Sequence, residues 1–151
     1  MKKLSLYFLL FLSILLIFNS CKTKSKAVEK EPQKPADKGL QLVNTSWLAL
    51  STTNTAGEVY NFSKSYELTF DTARAGLRLD VNNCNNQYNY ANNSLTFANP
   101  FGCTKKCCDG KDGTELMKTL QGDWKVSLDA NKNLLLENDS KGKIVWKAIA
   151  R

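Results

Sequence analysis

From Thr45 onward the apolar side chains recur mostly at every second position, and this alternation limits what the chain can fold into more than any other property. Tyr66, Leu68 and Phe70 form one run, Leu77, Leu79 and Val81 another, and Leu95 with Phe97 a third. Trp124, Val126 and Leu128, then Leu134 with Leu136, then Ile144, Trp146 and Ala148 complete the series. Successive side chains of a strand point to opposite faces, so a period of two marks strands with one buried face. Between the runs lie turn-forming clusters at Ala73 to Gly76, Asn92-Asn93, Ala130 to Asn133 and Ser140 to Gly142. Connections this short join antiparallel neighbours as hairpins.

One segment breaks the rhythm. Thr114 to Leu120 sets Leu116, Met117 and Leu120 at helical spacing, with Thr114 as N-cap and Gly122 as the stop. The expected class is mainly β with one short helix. An antiparallel sheet of about eight strands leaves exposed edges unless it curls and closes, so a small barrel or strongly bent meander with the helix plugging one end or side is expected. Trp47, Trp124 and Trp146 fall on strands and are expected to fill the core.

The first 39 residues read differently. Leu4 to Phe18 is a fifteen-residue apolar run behind Lys2 and Lys3. That is the length of a signal-peptide core and short of the ~20 residues of a membrane-spanning helix. Phe18-Asn19-Ser20 before Cys21 resembles a relaxed bacterial lipobox, so residues 1–20 are expected to be cleaved and Cys21 to carry the lipid. Residues 21–39 hold six Lys, three acidic residues and two Pro with hardly an apolar side chain, the composition of a disordered tether. Residues 40–151 then form one domain, enough for a single core.

The charge separates along the same boundaries. Of the formal +7, the excess lies in the signal and tether, while residues 40–151 carry thirteen basic and eleven acidic side chains. Basic residues next to a lipid anchor meet anionic lipid at about 1 kcal/mol each, so the expected partner is a membrane and not nucleic acid. A monomer is expected.

The chain has no His, which removes the commonest general base and neutral metal ligand. No phosphate-binding loop or dinucleotide-type glycine pattern occurs, and Asp109, Asp112 and Glu115 fit a solvated loop and helix start. No cofactor and no enzymatic activity are expected. Export to an oxidising compartment makes Cys84, Cys103, Cys107 and Cys108 an even, oxidisable set. A bridge between the adjacent Cys107 and Cys108 is strained, so each is expected to pair elsewhere, Cys84 with one and Cys103 with the other. The alternative is a thiolate site in which Cys84, Cys103, Cys107 and Cys108 bind a soft metal such as Cu(I) or Zn.

Asn82, Asn83, Asn85, Asn86, Asn89, Asn92 and Asn93 are interleaved with Tyr88 and Tyr90. Turn chemistry accounts for such a run. Amides and rings together also bind sugars or peptides, which makes Asn85, Tyr88 and Tyr90, with the loop Cys103 to Asp112, a candidate ligand face.

Asn83-Cys84-Asn85, Tyr88-Asn89-Tyr90 and Ser94-Leu95-Thr96-Phe97, followed by Thr104 to Cys108, the helix from Glu115 to Leu120 and the strands Leu134 to Leu136 and Ile144 to Trp146, resemble the META (HslJ-like) domain family. The opening Asn44-Thr45-Ser46-Trp47 resembles its first strand. Asn83 stands where the family prefers Gly, Lys106 replaces a Met, and Cys103 and Cys107 are additional cysteines. The resemblance implies a Cys84–Cys108 bridge with Cys103–Cys107 as the second pair, and Cys84–Cys103 is the rival arrangement. It also implies an envelope protein linked with stress and drug tolerance, acting as a binding, structural or inhibitory module on an envelope protein or glycan. Lys22, in place of the Asp that marks inner-membrane retention, points to the outer membrane facing the periplasm.

Overall fold

The computed structural model describes residues 40–98 and 100–150. The expected signal segment, the expected lipid site Cys21 and the expected tether lie outside the described residues. Among the described residues, ten strands and one helix follow in the order β1 (Thr45–Thr53), β2 (Val59–Asn61), β3 (Glu67–Phe70), β4 (Arg74–Arg78), β5 (Asn83–Ala91), β6 (Ser94–Phe97), β7 (Gly102–Cys103), α1 (Lys111–Leu120), β8 (Gly122–Leu128), β9 (Leu134–Asn138) and β10 (Gly142–Ala148).

Every pairing is antiparallel, and the sheet closes because β1 pairs with both β3 and β10. Eight strands complete the barrel, while β2 extends along β1 and β7 along β5. Closure removes the edges that an open meander would expose, as the alternation requires. A bulge in β1 between Ala49 and Ser51 bends the strand near the point where its neighbour changes from β3 to β2.

The alternating residues fill the interior. Trp124, Trp146, Tyr66, Phe70, Phe97, Leu68, Leu77, Leu95 and Leu134 are fully buried, and Trp47 nearly so. Leu42 is buried at the end where the chain enters the barrel. The opposite end is covered by α1, whose Gly113, Leu116 and Leu120 form the inward stripe. Trp124 Nε1 donates to Leu120 O at 2.8 Å, and Lys141 Nζ donates to Thr119 O and Gln121 O, satisfying carbonyls that a helix C-terminus leaves open.

Four local expectations need correction. The turn expected at Ala73 to Gly76 lies earlier: Asp71 Oδ1 accepts from Ala73 N and Arg74 N at 2.7 and 2.5 Å, so Arg74 already begins β4. Gly76 is a strand residue whose missing side chain makes room for Thr69 Oγ1, 2.7 Å from where a Cβ would stand. The Asn-rich run is mostly one nine-residue strand, β5, with turn geometry at Asn92 and Asn93, where φ is 52° and 59°. Finally, α1 begins at Lys111 behind Gly110, which supplies no side-chain cap, and Val81 is exposed because the chain has already left β4.

Candidate functional site

The helix-covered end concentrates the polar chemistry. The segment from Thr104 to Gly110 has no regular ladder, so side chains must satisfy its backbone. Asn82, only 6% exposed, does most of this. Its Oδ1 accepts from Thr104 Oγ1 at 2.8 Å and Lys106 N at 2.9 Å, and its Nδ2 donates to Lys106 O and Asp109 Oδ2, both at 2.7 Å. Asp109 Oδ1 accepts in return from Val81 N and Asn82 N at 2.9 and 3.2 Å. Burial alone would raise the Asp109 carboxyl above its ordinary range, but the Val81 and Asn82 donors outweigh it and hold it low.

Asp80 is the second anchor. It pairs with Lys64 at 2.7 Å and accepts from Gly110 N at 2.8 Å, just before the first turn of α1. The Lys64 ammonium is the main cause of its lowered pKa, with Gly110 N adding to it. Tyr66 lies beneath, its hydroxyl 3.4 Å from Asp80, and burial followed by the Asp80 charge pushes its pKa up to about 12.

Beside this network a cleft of about 340 Å³ opens between α1 and the β1–β2 extension. Tyr60 and Phe62 form an aromatic wall, with ring centroids 5.7 Å apart and edge-to-face. Lys111, Asp112 and Glu115 from α1 face them, and Lys141 lies over the Trp124 ring at 5.8 Å. Tyr60 donates to Asp112 Oδ2 at 2.6 Å, a bond that raises the Tyr60 pKa. Rings that can stack, with both signs of charge around them, suit a polar ligand carrying flat or apolar faces. A second groove, of about 580 Å³, lies at the far end between Leu40 to Val43 and Tyr90 to Asn93, and none of the described residues that line it is charged.

The residues singled out in the sequence do not come together. Along β5, Asn85 is exposed on the outer face, whereas Tyr88 and Tyr90 have the inward parity of Cys84 and Asn86. Tyr88 packs edge-on against Phe70 at 5.1 Å and donates to Asp71 O, and Tyr90 donates to Asn93 Oδ1. Asn85 instead accepts from Arg74 at 3.4 Å. The cysteines adopt the rival pairing and not the first choice. Cys84 is bonded to Cys103, its direct partner in the β5–β7 register, with Cα atoms 3.9 Å apart, and not to Cys108. Cys103 is thereby taken, and Cys107 and Cys108 pair with each other. The four sulfurs do not form one centre, and among the described residues no group of three or more His, Cys, Asp or Glu side chains is placed to hold a metal ion. Tyr60, Phe62 and Lys141 were not picked out from the sequence. The aromatic pair two positions apart after Gly57 was the available signal.

No curated protein matches the chain. Solved structures share the fold, among them two determined by NMR. An NMR structure of a protein from Burkholderia xenovorans has a TM-score of 0.59 at 19% identity, covering 73% of this chain and 85% of its own. A second NMR structure has a TM-score of 0.50 at 20% identity, covering 71% of this chain and 91% of its own. The model of the META domain matches residues 40–149, nearly the whole described barrel, with its closed sheet and covering helix. On that match the chain belongs to the META domain family.

Proposed function

We propose that this protein is a lipid-anchored, non-enzymatic module of the cell envelope, held through Cys21 at the periplasmic face of the outer membrane, whose barrel binds a glycan or an envelope protein at the helix-covered end as part of a stress response. The observation that carries this reading is polarity. The described chain enters at Leu40, at the end opposite the cleft, so a lipid at Cys21 leaves Tyr60, Phe62 and Lys141 turned away from the attached end. Asp112, one of the two carboxylates that line the cleft, accepts from the Tyr60 hydroxyl at 2.6 Å and so is engaged in holding the aromatic wall, which supports a binding role over catalysis.

Two measurements test it. Intact-mass analysis of protein extracted from membranes should show cleavage before Cys21 and added acyl chains, and an unmodified Cys21 would end the anchoring claim. Glycan and peptide arrays probed with the extracted protein should give binders that a Tyr60→Ala, Phe62→Ala variant loses and an Asn85→Ala variant keeps. Equal binding by all three proteins would refute the cleft as the site.

A further inference from the structure

The four cysteines of the barrel form two pairs in opposite surroundings. Cys84–Cys103 joins β5 to β7, with Cys84 only 3% exposed and Met117 Sδ lying 3.8 and 3.2 Å from the two sulfurs. Cys107 and Cys108 are exposed and bonded to each other. A bridge between sequence neighbours encloses no length of chain, so it adds almost nothing to stability in the chain-entropy model. The segment that carries it is already fixed, by Asn82 through Lys106 on one side and by Asp109 through Val81 and Asn82 on the other. A structural staple is therefore not what this pair provides.

We propose that Cys107–Cys108 is a redox site, a surface disulfide that is opened and closed by thiol–disulfide exchange with an external dithiol while Cys84–Cys103 stays intact. A thiolate of the dithiol attacks one sulfur of the pair. The bond between Cys107 and Cys108 breaks, its electrons leave on the other sulfur as a thiolate, and a mixed disulfide forms. The second thiol of the reductant then attacks its own sulfur in that mixed disulfide and releases the second cysteine. Two electrons and two protons have moved to the pair, and the reductant leaves as a disulfide. Reoxidation is the same exchange run backwards against a disulfide oxidant.

Two local features favour this. Lys105 and Lys106 directly precede the pair, and neighbouring ammonium groups stabilise the departing thiolate. The one adjacent carboxylate, Asp109, is occupied by three donors from Val81 and Asn82. Those same bonds hold the loop whether the sulfurs are joined or apart, so reduction leaves the fold in place. Burial shields Cys84 from the attack that Cys107 and Cys108 admit.

The test uses the full-length protein, incubated with graded dithiothreitol, quenched in acid, alkylated and mapped by mass spectrometry. Cys107 and Cys108 should become alkylated together at reductant concentrations at least about tenfold below those that open Cys84–Cys103. Near-UV circular dichroism should not change across that step, and oxidised glutathione should restore the bridge. A Cys107→Ser, Cys108→Ser variant should keep the dichroism and lose only the low-reductant step. Simultaneous opening of both bridges, earlier opening of Cys84–Cys103, a native link from Cys107 or Cys108 to any other cysteine, or free thiols at both positions before reductant is added would each overturn the proposal.

Discussion

Asn82 and Lys106 are joined by two hydrogen bonds, from Asn82 Nδ2 to Lys106 O at 2.7 Å and from Lys106 N to Asn82 Oδ1 at 2.9 Å. A side-chain amide here makes the reciprocal contact that a neighbouring strand makes elsewhere. With Thr104 and Asp109 as its other partners, all four hydrogen-bonding positions of the amide are used.

Replacing Asn82 therefore strips several partners at once. Asn82→Ala should destabilise the protein by about 2–4 kcal/mol, because Lys106 N, Lys106 O and one oxygen of Asp109 lose their donor or acceptor together. Urea denaturation measures it. Asn82→Asp should also destabilise, since it removes the donor and sets a second carboxylate against Asp109. A change below about 0.5 kcal/mol for Asn82→Ala would show that the loop does not depend on this clamp.

Gly142 and Gly57 separate two reasons for using glycine. Both have positive φ, 91° and 85°, but a Cβ on Gly142 would strike Thr53 O, while nothing lies within 4 Å of one on Gly57. Gly57→Ala should cost about 1–2 kcal/mol from backbone strain alone. Gly142→Ala should cost about 3 kcal/mol or more, because β10 must also shift from the end of β1. Thermal unfolding of the two variants side by side gives the comparison, and equal shifts would contradict it.

The indole nitrogens of two core tryptophans differ in the same way. Trp124 Nε1 bonds Leu120 O, whereas Trp146 Nε1 is buried with no hydrogen-bond partner. Both Phe substitutions lose ring volume, but only Trp124→Phe removes the donor from a helix-end carbonyl. Trp124→Phe should be the more damaging by about 1–2 kcal/mol in equilibrium denaturation. The reverse order would be inconsistent with this packing.

Acid should weaken the helix-covered end. The folded pKa values of Asp80 and Asp109 lie below the ordinary aspartate value, so each carboxylate stabilises the fold above its unfolded pKa. That contribution is lost as pH falls below about 4 and through the folded values. The thermal midpoint should be nearly level between about pH 7 and pH 5 and then drop, with a shallower drop in Asp80→Asn. An identical acid profile for the variant would remove Asp80 from this account.

The barrel was legible from residues such as Leu68, Leu95, Trp124 and Ile144, because a two-residue period with one apolar face has few ways to be satisfied. The same rule concealed β5, where Asn83, Asn85 and Asn89 suggested turns. Only the buried partners on alternate positions, Cys84 and Asn86, show it to be a strand. Alternation also failed at Val81, since Asp109, 28 residues away, takes its backbone N–H and draws the chain out of β4.

By itself the sequence determined the fold class, the turn at Asn92-Asn93, the helix after the cysteine loop and the concentration of the excess positive charge before residue 40, all of which rest on neighbouring residues. The tertiary structure decided which cysteine meets which, which face of β5 carries Asn85, and which aromatic and charged side chains surround the cleft. Those outcomes depend on strand register and loop closure. Cys84 meets Cys103 because β7 aligns them on β5, which leaves Cys107 and Cys108 to each other, and no local pattern encodes that alignment.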